Sequence, residues 1–349
     1  MSMTSRSIAQ SENLLGGYAY QIIRQQSKQV FKLRSPVLAD TDPEAVHEMR
    51  IGTRRLRSAL SLFGNVITIQ NTDSKKSSSS QLADAAASGI PSRLTKAVSK
   101  LTKTLGKVRD LDVMQQWLEK TLAAPNSGKA AATSQLEKAE KKTVKALLKK
   151  LKKRRKQKFS SVKKVLSNKS YKKLTHQFNQ WLEQPTFLPA AQEPAARAAA
   201  VRIVGPITEL LQHPGWQVGT STRSNQTSPI EGLNLSDLNS LLARSGHQLH
   251  DLRKQIKGIR YQMEFFRGLF DLTYAAQVRE FRAIQSLLGQ LQDQTVISQF
   301  FTDEIGADWP QQLPTIEAAF QASRLDLWQQ WQSYQRKYLK LQSVAISAA

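Results

Sequence analysis

Two stretches of this chain repeat one another, and that repetition constrains the fold more than any single motif. VHEMRIGTRRLRSALSLF (Val46 to Phe63) aligns without a gap to LHDLRKQIKGIRYQMEFF (Leu249 to Phe266), at an offset of 203. His47/His250, Arg50/Arg253, Arg57/Arg260 and Phe63/Phe266 are identical, and Arg54/Lys257 is basic in both. Further on, LGKVRDLDV (Leu105 to Val113) aligns to LGQLQDQTV (Leu288 to Val296), at an offset of 183, sharing Leu, Gly, Asp and Val. Two matching blocks in the same order argue for internal duplication. The 20-residue difference in offset is about what the Ser-rich stretch NTDSKKSSSSQLADAAASG (Asn71 to Gly89), read as a flexible loop, would add to the first copy. The halves are then about 1–185 and 190–349, joined across a segment holding Pro185, Pro189 and Pro194.

Apolar residues recur at helical spacing nearly everywhere, and no alternating β-branched run reaches strand length between turn signals. The expected fold class is therefore all-α. The predicted helices are 14–34, 43–64, 90–105, 107–122, 129–167, 169–183, 194–211, 236–270, 273–289, 290–304 and 311–341, with a loop over His213 to Gly232. At about 100° per residue, Val46, Met49, Thr53, Leu56, Leu60 and Phe63 share one arc, and His47, Arg50, Arg54 and Arg57 a neighbouring one. In the second block Leu249, Leu252, Ile256, Ile259, Met263 and Phe266 form the apolar arc, and His250, Arg253, Lys257 and Arg260 the basic one.

Charge is distributed unevenly. The chain of 349 residues holds 51 Lys+Arg against 27 Asp+Glu, a formal net charge of +24. Residues 1–174 hold 36 basic and 12 acidic residues, and the remainder 15 of each, so the whole excess is in the first part. Seventeen of those bases, with Glu140 as the lone acid, lie between Lys138 and Lys173. Val144, Leu148, Leu151, Phe159, Val162 and Leu166 make this run an amphipathic helix. Like charges four apart, such as Lys145 with Lys149 and Lys152 with Lys156, each cost a few tenths of a kcal/mol. Such a helix suits a polyanionic partner; a plain solvated face is the other reading.

The duplicated basic stripe also has two readings. It is an anion site, because guanidinium forks bind phosphate oxygens bidentately, or it is an intramolecular salt-bridge seam, for which the first half offers few carboxylates. The duplicated acid, Asp110/Asp293, either caps a following helix or orients a stripe Arg or His. Arg109 stands beside Asp110, where the second copy has Gln292. Glu264, on the second basic arc, is expected to pair with Lys257 or Arg260.

These four blocks, in this order, resemble the CHAD domain, the conserved-histidine α-helical domain, from about Leu14 to Leu341. The resemblance implies two pseudo-symmetric antiparallel four-helix bundles around a basic central cavity. It implies inorganic polyphosphate as ligand, and association with polyphosphate granules. The binding residues would then be His47, Arg50, Arg54, Arg57, Arg109, His250, Arg253, Lys257 and Arg260, with Lys152 and Lys156 from the basic helix, and Asp110 and Asp293 orienting them. This sequence departs from the pattern where RDLD becomes QDQT.

Two rival functions remain. A nucleic-acid binder would use the same phosphate contacts non-specifically, yet neither stripe carries an aromatic on its basic arc for base stacking. A phosphoanhydride enzyme would need carboxylates to hold magnesium. Near the stripes only Asp110 with Asp112 offers a close acidic pair, and there is no GxxxxGK[ST] loop or acidic E-x-E-x-K strand. The chain has no Cys, which removes thiolate metal sites and disulfides. No signal peptide or membrane span is read, and no cofactor. The expectation is a cytoplasmic, non-catalytic phosphate-chain binder.

Overall fold

The computed structural model describes residues 5–69, 89–123, 136–224 and 226–347. The predicted Ser-rich loop, apart from Gly89, and the first residues of the predicted 129–167 helix lie outside them. The described chain is all-α. Helices α1 (Ser5–Gln10), α2 (Leu15–Lys32), α3 (Arg34–Ala39) and α4 (Pro43–Leu62) precede a two-residue strand, β1 (Ile67–Thr68). Then follow α5 (Ser92–Ala123), α6 (Lys138–Ser167), α7 (Lys169–Glu183), β2 (Thr186–Phe187) and α8 (Ala195–Leu211). A hairpin of β3 (Thr220–Arg223) and β4 (Gln226–Pro229) leads to α9 (Leu235–Phe265), α10 (Leu272–Ile305), α11 (Trp309–Gln312) and α12 (Pro314–Ser347).

Local chemistry sets several of these ends. Asp42 caps α4 by accepting the Glu44 N–H at 2.8 Å, with Pro43 in the first helical position. Pro314 likewise opens α12, so the helix predicted from 311 starts three residues later. The predicted helix 14–34 is α2, which stops at Lys32 because Pro36 has no N–H to donate back to that residue, and the short α3 after it was not predicted. The predicted helix 236–270 ends at Phe265 and gives way to a 3-10 turn, Arg267–Leu269. The segment read as a loop from His213 carries a 3-10 turn and the β3–β4 hairpin.

Two larger corrections concern glycine. Breaks were expected at Gly106 and after Gly289, yet α5 and α10 run straight through. A helix-interior glycine costs only about 1 kcal/mol, and long neighbouring apolar faces outweigh that.

Spatial contacts gather the chain into two compact units. One comprises Met1–Gln115, Lys150–Arg202 and Tyr261–Phe270; the other comprises Gln116–Lys149, Ile203–Arg260 and Asp271–Ala349. In the first unit α2 lies against α4, and Leu15, Ile23 and Val30 are buried with Val46, Met49, Leu56 and Leu60. Phe266 stacks on Tyr18 and meets Phe63 edge-on, both at 5.8 Å between ring centres. The Tyr18 hydroxyl donates to the Phe265 carbonyl at 2.7 Å. The Pro-rich segment is tied down here: β2 pairs with β1, and the Leu15 N–H donates to Glu193 O at 2.9 Å.

The second unit packs α10 against α12 and seats the β3–β4 hairpin on α12. Trp216 stacks between Tyr338 (4.3 Å) and Trp331 (5.3 Å). Gln335, fully buried, donates its amide to the carbonyls of Trp216 and Val218. Glu140, the lone acid of the basic run, is buried in this unit. It accepts the Thr315 N–H (2.9 Å), the Thr315 hydroxyl (2.8 Å) and the Glu137 N–H (2.8 Å). One carboxylate therefore serves the N-terminal ends of both α6 and α12, where helix dipoles favour negative charge.

Candidate functional site

The apolar arcs of both repeated blocks are buried, which leaves the basic arcs at the core edge. In the first unit, Arg50 of α4 lies across α5 at Gly106. A Cβ on Gly106 would stand 3.3 Å from Arg50 Nε. In the second unit, Arg253 of α9 lies across α10 at Gly289, where a Cβ would stand 3.2 Å from both Nε and Nη2. The glycine shared by the two LG blocks thus leaves room for a guanidinium on a helix surface. Its role was not read from sequence, although the shared Gly was its signal.

The polar atoms of these sets are under-used in matching ways. His47 Nδ1 and Arg50 Nε in the first unit, and His250 Nδ1 and Arg253 Nε in the second, are buried without a hydrogen-bond partner. Arg109 adds its buried Nε and Nη1. Leaving a buried donor unpaired costs about 1–3 kcal/mol, more for charged groups. Such groups in a native protein point to a missing acceptor.

Electrostatics agree with a cation-rich setting. The His47 pKa lies below its ordinary value, through burial first and then the charge of Arg109, with Glu44 opposing and Arg50 reinforcing. Burial likewise lowers the His250 pKa, aided by Lys254 and Arg253, with a hydrogen bond from the imidazole to Gln292 opposing.

The acids resolve differently. Asp110 and Asp293 sit in the interiors of α5 and α10, so neither caps a helix; the expected breaks at Gly106 and Gly289 do not exist. Asp110 Oδ1 approaches Arg50 Nη2 at 3.7 Å, too far for a hydrogen bond. Asp112 does not join Asp110 in an acidic pair, since residues two apart on a helix do not face each other. It is buried instead, accepting from Arg155 Nε at 2.7 Å. Burial raises the Asp112 pKa, with the Arg155 hydrogen bond opposing that.

Arg155, which the sequence reading passed over among seventeen neighbouring bases, also donates bidentately to Asp40 at 2.7 and 2.8 Å. Its guanidinium pKa is held well above the ordinary value, chiefly by Asp40. Arg155 thereby fixes the stretch of α6 that carries Lys152 and Lys156, both exposed.

The remaining stripe residues diverge between copies. Arg54 lies 5.7 Å from the Tyr261 ring, an aromatic brought to it through space and absent from its own arc. Arg57 is exposed, whereas its counterpart Arg260 is buried and donates Nε to Gln285 at 3.0 Å. Lys257 is half-buried. Glu264 pairs with Arg55, at 2.7 Å, because its segment packs with α4 in the first unit. Arg55 also donates to Gln26 and lies over Phe265.

No helix among the described residues is long and apolar enough to cross a membrane. Comparison with known proteins places this geometry in context. The CHAD domain of the plant Ricinus communis is similar in structure, with 22% identity, 94% of this chain and 92% of that chain covered, and a TM-score of 0.57. PptA from Streptomyces chartreusis is similar at 13% identity, with 96% and 98% covered and a TM-score of 0.50. These identities speak to fold alone. No curated protein matches the sequence. The family model described as the CHAD domain matches residues 21–302, and on that match the chain belongs to the CHAD domain family.

Proposed function

We propose that this protein binds inorganic polyphosphate, without turning it over, through the His/Arg sets carried by α4 with α5 and by α9 with α10. The observation that carries this reading is the duplicated pair of buried polar atoms without a partner, Arg50 Nε with His47 Nδ1 and Arg253 Nε with His250 Nδ1. Phosphate oxygens are the acceptors a guanidinium fork fits best. The family's association with polyphosphate supports the reading. The first set holds Arg109 where the second has Gln292, so it is the stronger of the two. In cells the protein is proposed to collect at polyphosphate granules.

The test is a competition titration at about 150 mM salt, where surface charges are screened beyond roughly 8 Å. Long-chain polyphosphate is set against single-stranded and duplex DNA of matched charge. The proposal expects sub-micromolar polyphosphate binding that DNA does not reverse, and no release of phosphate during incubation. Replacing Arg50 and Arg54 with Ala weakens binding far more than replacing Arg223, which is exposed on β3. Equal competition per charge would reduce the sets to a sticky surface and put nucleic acid first.

A further inference from the structure

One charged feature of the first unit lies outside the duplicated sets. Lys96, Lys100, Lys103 and Lys107 are all exposed on α5. At about 100° per residue they share one face, roughly 90° around the helix from Gly106, on the side of Asp110. With about 1.5 Å of rise per residue, the row extends for roughly 16 Å. It borders an open groove of about 400 Å³, lined also by Ser99 and Thr104. None of the four lysine side chains makes an ion pair or hydrogen bond among the described residues. No carboxylate occurs between Gly89 and Arg109 to provide one.

The row begins beside the Arg50–Gly106 crossing and leads away from it. Lys100 at its middle also lines a small pocket with Asn168, Ser170 and Tyr171, at the start of α7. That first turn carries the exposed Lys169 and Lys172. The second copy has no such row, since the aligned positions on α10 are Arg279, Ala283, Ser286 and Gln290. Four like charges at these spacings repel on an isolated helix. No aromatic interrupts the groove to stack a base, which favours a chain of bare phosphates over a nucleic acid.

We propose that this row is an outer anion track, along which a polyphosphate chain continues once it has filled the His47, Arg50 and Arg109 set. The protein then selects long chains over short ones, and does so through its first unit only. This rests on the polyphosphate reading above.

The test replaces Lys96, Lys100, Lys103 and Lys107 together with Gln, which has similar helix propensity. A matched control replaces four scattered exposed arginines, Arg197, Arg223, Arg244 and Arg267, with Gln. Tripolyphosphate and long-chain polyphosphate are titrated into each protein across a salt series. The lysine variant is expected to lose at least about ten-fold in long-chain affinity. Its log–log salt slope becomes shallower by about three, at roughly 0.7 per lost phosphate contact on a single strand. Tripolyphosphate binding stays unchanged, and so does long-chain binding by the arginine control.

Equal losses in the two variants, or none in the lysine variant, would overturn the track while leaving the His/Arg reading intact. Failure of the wild-type protein to bind either phosphate chain would instead remove the reading beneath it. If duplex DNA then bound and was released by the lysine variant, the row would be a nucleic-acid face.

Discussion

Gly106→Ala separates stability from binding, with opposite signs. The residue lies inside α5, so the substitution removes the helix penalty of glycine, about 1 kcal/mol. Against that, the new methyl carbon would stand 3.3 Å from Arg50 Nε, tighter than ordinary contact. The obstacle is the outer part of a flexible side chain, so it yields by a few tenths of an ångström. The folded protein is therefore unchanged or more stable by up to about 1 kcal/mol. A gain of that size raises Tm by about 2–4 °C for a domain of roughly 150–250 residues. Binding moves the other way, because the guanidinium is displaced from its bed. Loss of one charge-assisted hydrogen bond, about 1.5–3 kcal/mol, weakens polyphosphate affinity about ten- to one-hundred-fold. Thermal scanning reads the first effect and calorimetric titration the second. A double-variant cycle completes the test: in an Arg50→Ala background, Gly106→Ala has no further effect on affinity. A fall of several degrees in Tm with affinity intact would refute this reasoning, since the glycine would then serve packing alone. At Gly289, where two guanidinium nitrogens stand at 3.2 Å, the stability gain is smaller.

Glu140→Ala removes a buried carboxylate and orphans two backbone N–H groups and a hydroxyl at partly buried helix ends. It is expected to cost about 3–5 kcal/mol in urea unfolding, and a loss under about 1 kcal/mol would contradict the shared cap. Arg155→Ala strands the buried Asp112 carboxylate and costs about 3–5 kcal/mol, with part recovered when Asp112→Asn is added; absence of recovery would place the loss elsewhere. Because their pKa values are lowered in the free protein, His47 and His250 favour folding above the ordinary histidine range. That stability fades as pH falls toward the lowered values. Bound polyphosphate reverses the shift, so affinity is greatest below the free-protein pKa and fades as pH rises through that of the complex. Titrations from about pH 5 to pH 8 should flatten in His47→Gln/His250→Gln, and a flat wild-type profile would make the histidines structural.

The helical class and the duplicated stripes were legible in the sequence because both rest on periodicity, which survives without coordinates. Val46 to Phe63 and Leu249 to Phe266 show their buried arcs directly as repeats of apolar residues. What stayed hidden depends on a partner from another helix. Gly106 and Gly289 read as punctuation, since a glycine in a helical pattern looks the same whether the chain bends there or a side chain lies over it. Arg155 carries no local mark to distinguish it from Arg154; only Asp40 and Asp112, distant in sequence, make it a clamp. Arg57 and Arg260 hold the same position on the helical wheel and differ in burial, because Gln285 is near one of them and a wheel knows nothing of neighbours. Glu264 was expected to pair along its own helix, and its bond to Arg55 of α4, 209 residues away, left no mark in the sequence.

The aromatic stack on Phe266 has a consequence for how the protein is made. Its partners Phe63 and Tyr18 belong to the start of the chain. The first compact unit takes its last segment, Tyr261–Phe270, only after its middle segment has ended at Arg202. At a synthesis rate of about 5–20 residues per second, the ribosome needs roughly 3–12 s to cover that gap. Until Phe266 emerges, the nascent unit holds an unfilled aromatic seat, and so does any fragment cut near residue 185. Ribosome-associated chaperones are the natural cover for that interval, and stalling translation before residue 261 should trap a chain that binds them.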